Sequence, residues 1–394
     1  MNKLAQARKF YKKSKFWNRR SIILFVLCSC CMGVLLYRFI HGLGEVTNLS
    51  DSYPFGIWAG FNVAGSIAIA SGGFVCAALV YVLQQRQYKH IFEATLLFSL
   101  LAFLVAILSI ITDLGLWYKS WLTLIPLFWN TNSVFAVFTV CFVCVLILTY
   151  LIINFLFHTH KTKPGKGRLA KFHDRLARHV KKNIIAYVLL FITASAYHQT
   201  LIGGSMILAQ YKMHPFWYTP SLPVLFLLSS VAVGIPVILL VLFFITKMFK
   251  WDESSVSLQN MVKIFTFFVL IYTIARISDL TFRNSWHKIL YFDYYTLWFT
   301  LEIIPGLLTP IILLFIYLKT PSRNVLIIAC SLYVVFGVIL HRINTFFIAM
   351  MDAYGGTIYG PSPGEIVISL GFIALFVLLY RAVLTYYPFA RTIS

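Results

Sequence analysis

The chain has 394 residues, is 60% hydrophobic, carries only 11% charged residues and has a mean hydropathy of +0.83. A soluble domain of this size carries about 25% charged residues, so a water-soluble globular enzyme is excluded. The net charge of +21 falls in blocks between or before apolar runs, which argues against a nucleic-acid surface and fits the loops of a membrane protein.

A run of about 20 apolar residues is long enough to cross the hydrocarbon core as a helix. Such runs are predicted at 21–40, 56–84, 92–115, 131–157, 184–209, 221–249, 264–282, 295–318, 324–349 and 364–386. A transmembrane barrel would show short alternating segments instead. Val134–Phe157 and Leu222–Ile245 do not alternate. The fold class is therefore all-α, a polytopic transmembrane helical bundle of about ten spans.

Segment 1–20 is a basic N-terminus. It precedes a four-span half, 21–157, a basic loop, 158–183, a six-span half, 184–386, and a short tail, 387–394. The basic N-terminus and the 158–183 loop fall on one side, with Arg86, Lys89, Lys247, Lys250, Lys319 and Arg381 among others. The opposite side holds Arg38, Lys119, Lys212, Arg283 and Lys288. The positive-inside rule then places both termini in the cytoplasm. Val34-Leu35-Leu36-Tyr37-Arg38 follows the first apolar run and offers no small-x-small cleavage site, so that run reads as a retained span. The 158–183 loop is expected to contact anionic headgroups.

Span two opens on Tyr53-Pro54-Phe55-Gly56-Ile57-Trp58, with Trp58 suited to an interfacial aromatic belt. A ladder of small residues follows at Gly56, Gly60, Ala64, Ala68 and Gly72, the pattern that lets helix backbones approach closely. The seven cysteines all fall in apolar runs. The Cys141/Cys144 pair has no second pair to complete an iron–sulfur ligand set, so the thiols read as small packing residues.

Ionisable residues inside a span are expensive and mark function by default. Asp113 ends span three, and His198 and Gln199 lie past the middle of span five. Arg276 and Asp279 lie three residues apart on span seven. Glu302 is in the first third of span eight, and His341 and Arg342 are in the last third of span nine. All sit in the half predicted to be non-cytoplasmic. Each has a plain structural alternative: an intramembrane ion pair for Arg276 and Asp279, a satisfied core histidine for His198, a loop carboxylate for Asp113. Three chemistries compete for the set. A b-type haem needs paired axial histidines, and only His198 and His341 lie well inside spans. An ion or solute transporter needs a polar path through both halves, and the inner half is almost bare. A quinone headgroup needs donors at the membrane edge, aromatic walls and a proton donor or acceptor. The quinone fits the asymmetry best.

Several stretches resemble the NrfD/PsrC family of polytopic quinone-interacting membrane subunits, and within it the HybB type found with nickel–iron hydrogenases. They are His41-Gly42-Leu43-Gly44, Tyr53–Trp58, Ile111-Thr112-Asp113, Asn130–Val134, Tyr197-His198-Gln199, Gly204–Ile207, Tyr211–Trp217, Arg276–Asp279, Leu301-Glu302 and Arg342. The resemblance implies a haem-free bundle that holds no iron–sulfur cluster. It implies a site for menaquinone or ubiquinone near the periplasmic surface of the bacterial inner membrane. It further implies a ferredoxin-like iron–sulfur subunit and a catalytic subunit on that side, the chain itself being catalytic only within the complex. By position, Asp113 and His198 become the quinone-site residues, with Trp58 and Asn62 as walls. Arg276, Asp279, Glu302 and Arg342 become a second cluster, proton-handling or structural. Where hydrogenase-type members carry a Glu shortly after the Asn-Ser-Val stretch, this chain has Val137.

Overall fold

The computed structural model describes residues 16–50, 53–124, 134–159, 167–249, 258–320, 324–350 and 359–386. The Asn130–Ser133 motif, the side chain of Val137, most of the basic N-terminus and the 387–394 tail lie outside the described residues.

Ten helices among the described residues are long and apolar enough to cross a membrane, as expected of a multi-pass membrane protein. In chain order the spans are Arg19–His41, Trp58–Val82, Ile91–Asp113, Thr139–His158, Ile184–Ile207, Leu222–Lys247, Leu258–Phe282, Tyr294–Lys319, Asn324–Ile348 and Pro363–Tyr386. Most ends agree with the apolar runs to within a few residues. Span seven begins six residues before its predicted start, because Met261 and Val262 are buried against the bundle while Lys263 stays exposed. The predicted 158–183 loop contains a surface helix, Arg168–Lys182. An Asp174 carboxylate oxygen 3.1 Å from His158 ties it to span four.

Spans two and six form the interior, and their mostly buried residues leave other spans to face lipid. Span one exposes Ile22, Phe25 and Ile40, as a peripheral helix in lipid does. The small-residue ladder of span two works as the sequence suggests: a Cβ on Gly72 would lie 2.7 Å from Val237 of span six. A closer approach joins spans eight and nine, where Gly306 and Gly337 pack backbone to backbone and a Cβ on either would meet the other. Only glycine permits that contact.

Contacts between segment ends gather one polar end of the bundle. Arg38 reaches the Leu114 carbonyl, Trp58 reaches Glu365, Arg283 reaches the Pro215 carbonyl, and the His214 N–H donates to the Ala349 carbonyl at 2.6 Å. At this end span two widens into a π-helical turn at Trp58–Gly65 and span nine at Asn344–Ile348, and span eight does so at its middle, Ile304–Leu308. Such widenings are rare and often mark functional sites. Here each one borders a cluster of buried polar side chains.

Candidate functional site

The first cluster joins spans one, two, three and ten. Trp58 is 1% exposed, so it is enclosed rather than lying in an interfacial belt. Its indole N–H donates to the Glu365 carbonyl at 3.1 Å. One helical turn on, the Asn62 amide donates to the Ser369 hydroxyl at 3.1 Å. Glu365 is fully buried. It accepts from the Tyr359 hydroxyl, from the Ser362 N–H at 2.9 Å and from the Asn48 N–H at 3.2 Å. Asp113 lies within electrostatic range of both Glu365 and Arg38. Arg38 is 1% exposed, and its guanidinium donates to the Thr112 carbonyl at 2.8 Å and to the Leu114 carbonyl. It thereby fixes the chain just where Asp113 ends span three. A 440 Å³ cavity opens beside this cluster, lined by Tyr37, Glu45, Thr47, Asn48, Ser362 and Gly364 among others. Burial of the Tyr359 hydroxyl and its bond to Glu365 push its pKa well above the usual phenol value, so it stays a donor.

The second cluster is centred on Glu302 of span eight. Its carboxylate accepts from Trp217 at 2.7 Å, His341 at 2.9 Å, Asn344 at 2.9 Å and Arg276 at 3.2 Å. Trp217 arrives on the loop between spans five and six. That loop is pinned by stacking of His214 on Tyr295 at 4.3 Å and of Phe216 on Phe299 at 4.4 Å. Arg342 turns away from Glu302. Its guanidinium sits 3.4 Å from the Phe226 ring centroid and donates to the Phe226 carbonyl at 3.0 Å and the Ser229 hydroxyl at 2.9 Å.

The structure thus brings Trp58, Asn62 and Asp113 together with span ten, while His198 has other described neighbours. Its ring stacks on Phe142 of span four at 5.0 Å, and the adjacent Gln199 donates to the Ile67 carbonyl at 2.7 Å. His198 lies nine residues inward of Ile207, about 14 Å along the helix, whereas Asp113 ends its span. Arg276 and Asp279 share a helix face but not an ion pair. Arg276 takes Glu302, and Asp279 takes Arg283 one turn on, at 2.7 Å, together with the Thr219 hydroxyl. Arg283 had been placed in the outer loop; it folds back because Asp279 and the Pro215 carbonyl both receive it.

Glu365 was not singled out in the sequence, and Trp217 entered only as the end of the Tyr211–Trp217 stretch, with no role. The signal for Glu365 was present in Ser362-Pro363-Gly364-Glu365, a serine followed three residues later by a glutamate at the start of an apolar run.

Residues 45–351 match the family described as polysulphide reductase, NrfD. The chain belongs to the NrfD family. The NrfD match takes in spans two to nine and leaves spans one and ten outside it. The chain is 26% identical over 388 residues to the probable Ni/Fe-hydrogenase 2 b-type cytochrome subunit of Escherichia coli (strain K12), covering 95% of this chain and 93% of that protein. It is 27% identical over 258 residues to the integral membrane subunit of menaquinone reductase of Nitratidesulfovibrio vulgaris, covering 62% of this chain and 58% of that protein.

The first relative's name raises haem. A b-type haem needs axial histidines free to ligate. His341 gives Nδ1 to Glu302 and is enclosed edge-on by Phe226 and Tyr272, and His198 stacks on Phe142. His198 and His341 thus lie on spans five and nine among different described neighbours.

Proposed function

We propose that this chain is the quinone-reactive membrane subunit of a respiratory oxidoreductase complex in the bacterial inner membrane. It exchanges electrons between a periplasmic ferredoxin-like iron–sulfur subunit and menaquinone or ubiquinone, and a further periplasmic subunit sets the terminal substrate. The two relatives, one a menaquinone reductase subunit and one a probable hydrogenase subunit, support this reading. So does the predicted sidedness of the charges.

One observation carries the assignment of the site: at one end of the bundle buried Trp58 and Asn62 bond span ten, half-buried Asp113 lies within electrostatic range of buried Glu365, and a 440 Å³ cavity opens beside Asn48 and Ser362, which bond Glu365. A quinone headgroup needs an apolar slot, hydrogen-bond donors for two carbonyls and a proton donor or acceptor. Trp58 supplies a wall, Asn62 a polar group and Asp113 the proton. His198, deeper on span five, borders the region a quinone tail would occupy. The Glu302 cluster holds a saturated carboxylate, and its best-supported role is to lock spans seven, eight and nine and the 208–221 loop into one arrangement.

The test uses membranes that contain the assembled complex. Reduction or oxidation of a menaquinone analogue is expected only when the iron–sulfur partner is present. Solute or proton flux through liposomes holding this chain alone, without quinone turnover in the complex, would instead support a transporter.

A further inference from the structure

The sequence predicts a basic loop at 158–183, and the structure puts a helix there, Arg168–Lys182, between spans four and five. The spans alternate in direction, so this helix lies at the end of the bundle opposite Asp113. It does not stand off from the bundle. His173 Nδ1 lies 3.0 Å from the Tyr150 hydroxyl and 3.1 Å from the Asn154 carboxamide oxygen, and the Asn154 amide donates to the His173 carbonyl at 3.2 Å. Asp174 meets His158 at 3.1 Å. Ala177 and Val180 are fully buried, and the His179 ring lies 6.2 Å from the Tyr187 ring in the first turn of span five. Tyr150 precedes His158 by eight residues, about 12 Å along span four. The middle of the helix is thus held beside the last turns of span four, at the level where a span leaves the hydrocarbon for the headgroups.

The rest of the helix surface divides into two faces. Leu169, Phe172 and Leu176 recur at i, i+3 and i+7 and form an apolar row. Leu169 is 71% exposed and Phe172 55%. Arg168, Lys171, Arg175, Arg178 and Lys182 form a second row at the same kind of spacing, and all five are exposed. Asp174 is the helix's one acidic residue, and it faces His158. A bundle face, an apolar face and a basic face make the pattern of a helix lying in the plane of a membrane interface. In water this arrangement is unfavourable twice over. The apolar row stays wet, and like charges three and four residues apart repel. Negative charge beside the basic row offsets that repulsion.

We propose that Arg168–Lys182 is an in-plane membrane helix that binds the acidic phospholipids of the cytoplasmic leaflet. Leu169, Phe172 and Leu176 enter the acyl boundary, and the row from Arg168 to Lys182 takes the headgroup phosphates. The occupant is lipid rather than a soluble acidic protein because the basic row shares its helix with an apolar row, and both are pinned at the depth of a span end. The bound lipid would brace the junction of spans four and five from below. This role is independent of the quinone reading, whose residues lie at the other end of the bundle.

The experiment measures backbone hydrogen exchange of residues 168–182 in the full chain, reconstituted in nanodiscs of phosphatidylcholine alone or of phosphatidylcholine with phosphatidylglycerol. Each lysine or arginine at an anionic surface strengthens binding about fivefold. Several acting together should slow exchange of this helix by about tenfold or more in the phosphatidylglycerol discs, and high salt should remove much of the difference. The Lys171→Gln/Arg175→Gln/Arg178→Gln variant keeps good helix formers at exposed positions. It should lose the lipid difference while spans four and five exchange as in wild type. Equal exchange of the wild-type helix in the two kinds of disc would overturn the proposal, as would a lipid difference that survives in the triple variant. Slowing that appears only when the other subunits of the complex are added, with either lipid, would assign the surface to a protein contact and overturn it too.

Discussion

Arg276 and Glu302, on neighbouring spans, meet at 3.2 Å with 0% and 1% of their side chains exposed. A pair this deep is held by its surroundings as much as by its own attraction, because desolvating two ions costs several kcal/mol each. Trp217, His341 and Asn344 supply the remaining donors to the carboxylate.

Removing one partner should therefore hurt more than removing both. Glu302→Leu leaves Arg276 buried without its counter-charge and should cost about 3–5 kcal/mol of stability. Adding Arg276→Met should restore much of that loss. Unfolding midpoints of the purified protein in detergent check it, and equal or larger damage in the double variant would contradict the structural role.

Trp217→Phe keeps the aromatic packing against Phe216 and Tyr295 but deletes the N–H that donates to Glu302 at 2.7 Å. A hydrogen bond to a charged acceptor contributes about 1.5–3 kcal/mol. The same unfolding assay should show a smaller loss than Glu302→Leu gives.

Gly337→Val places a branched side chain where spans eight and nine touch backbone to backbone at Gly306. Overpacking of this kind costs about 1–3 kcal/mol or more. The midpoint should fall, and enlarging Gly33 of span one, which has nothing within 4 Å among the described residues, should leave the midpoint unchanged.

His214 lies outside the spans, and burial lowers its pKa from the usual value to about 4, with Asp293 opposing and Lys288 reinforcing the shift. The folded protein therefore prefers neutral His214. Its contribution to stability is fully present above the unfolded value of about 6.5 and is lost as pH falls toward about 4. His214→Gln should flatten that acid limb of an unfolding-midpoint-against-pH curve.

The spans were legible because hydropathy is additive along the chain, and their ends were blurred only where a helix runs past the membrane boundary, as at Lys263. The depth of Glu302, Arg276 and Arg342 was legible for the same reason. Their pairing was not. Arg276 and Asp279 share a helix face, but each finds its partner through tertiary packing, on span eight and one turn further along span seven. Trp58 read as an interfacial aromatic because position along a span says nothing about which neighbour covers it, and span ten does. Glu365 was hidden for the opposite reason: an acidic residue at a helix start has a sufficient local explanation as a cap, and its closeness to Asp113 exists only in the fold.

The central claim is that the end of the bundle holding Asp113 reacts with quinone. The most direct measurement is menaquinone-analogue turnover by the assembled complex in membranes, wild type against the Asp113→Asn/His198→Gln double variant, with a soluble electron acceptor as control for the partner subunits. The account predicts a fall of about 100-fold or more in quinone turnover, the scale of a lost proton-transfer group, with soluble-acceptor activity kept. Quinone turnover at the wild-type rate in the double variant would contradict it.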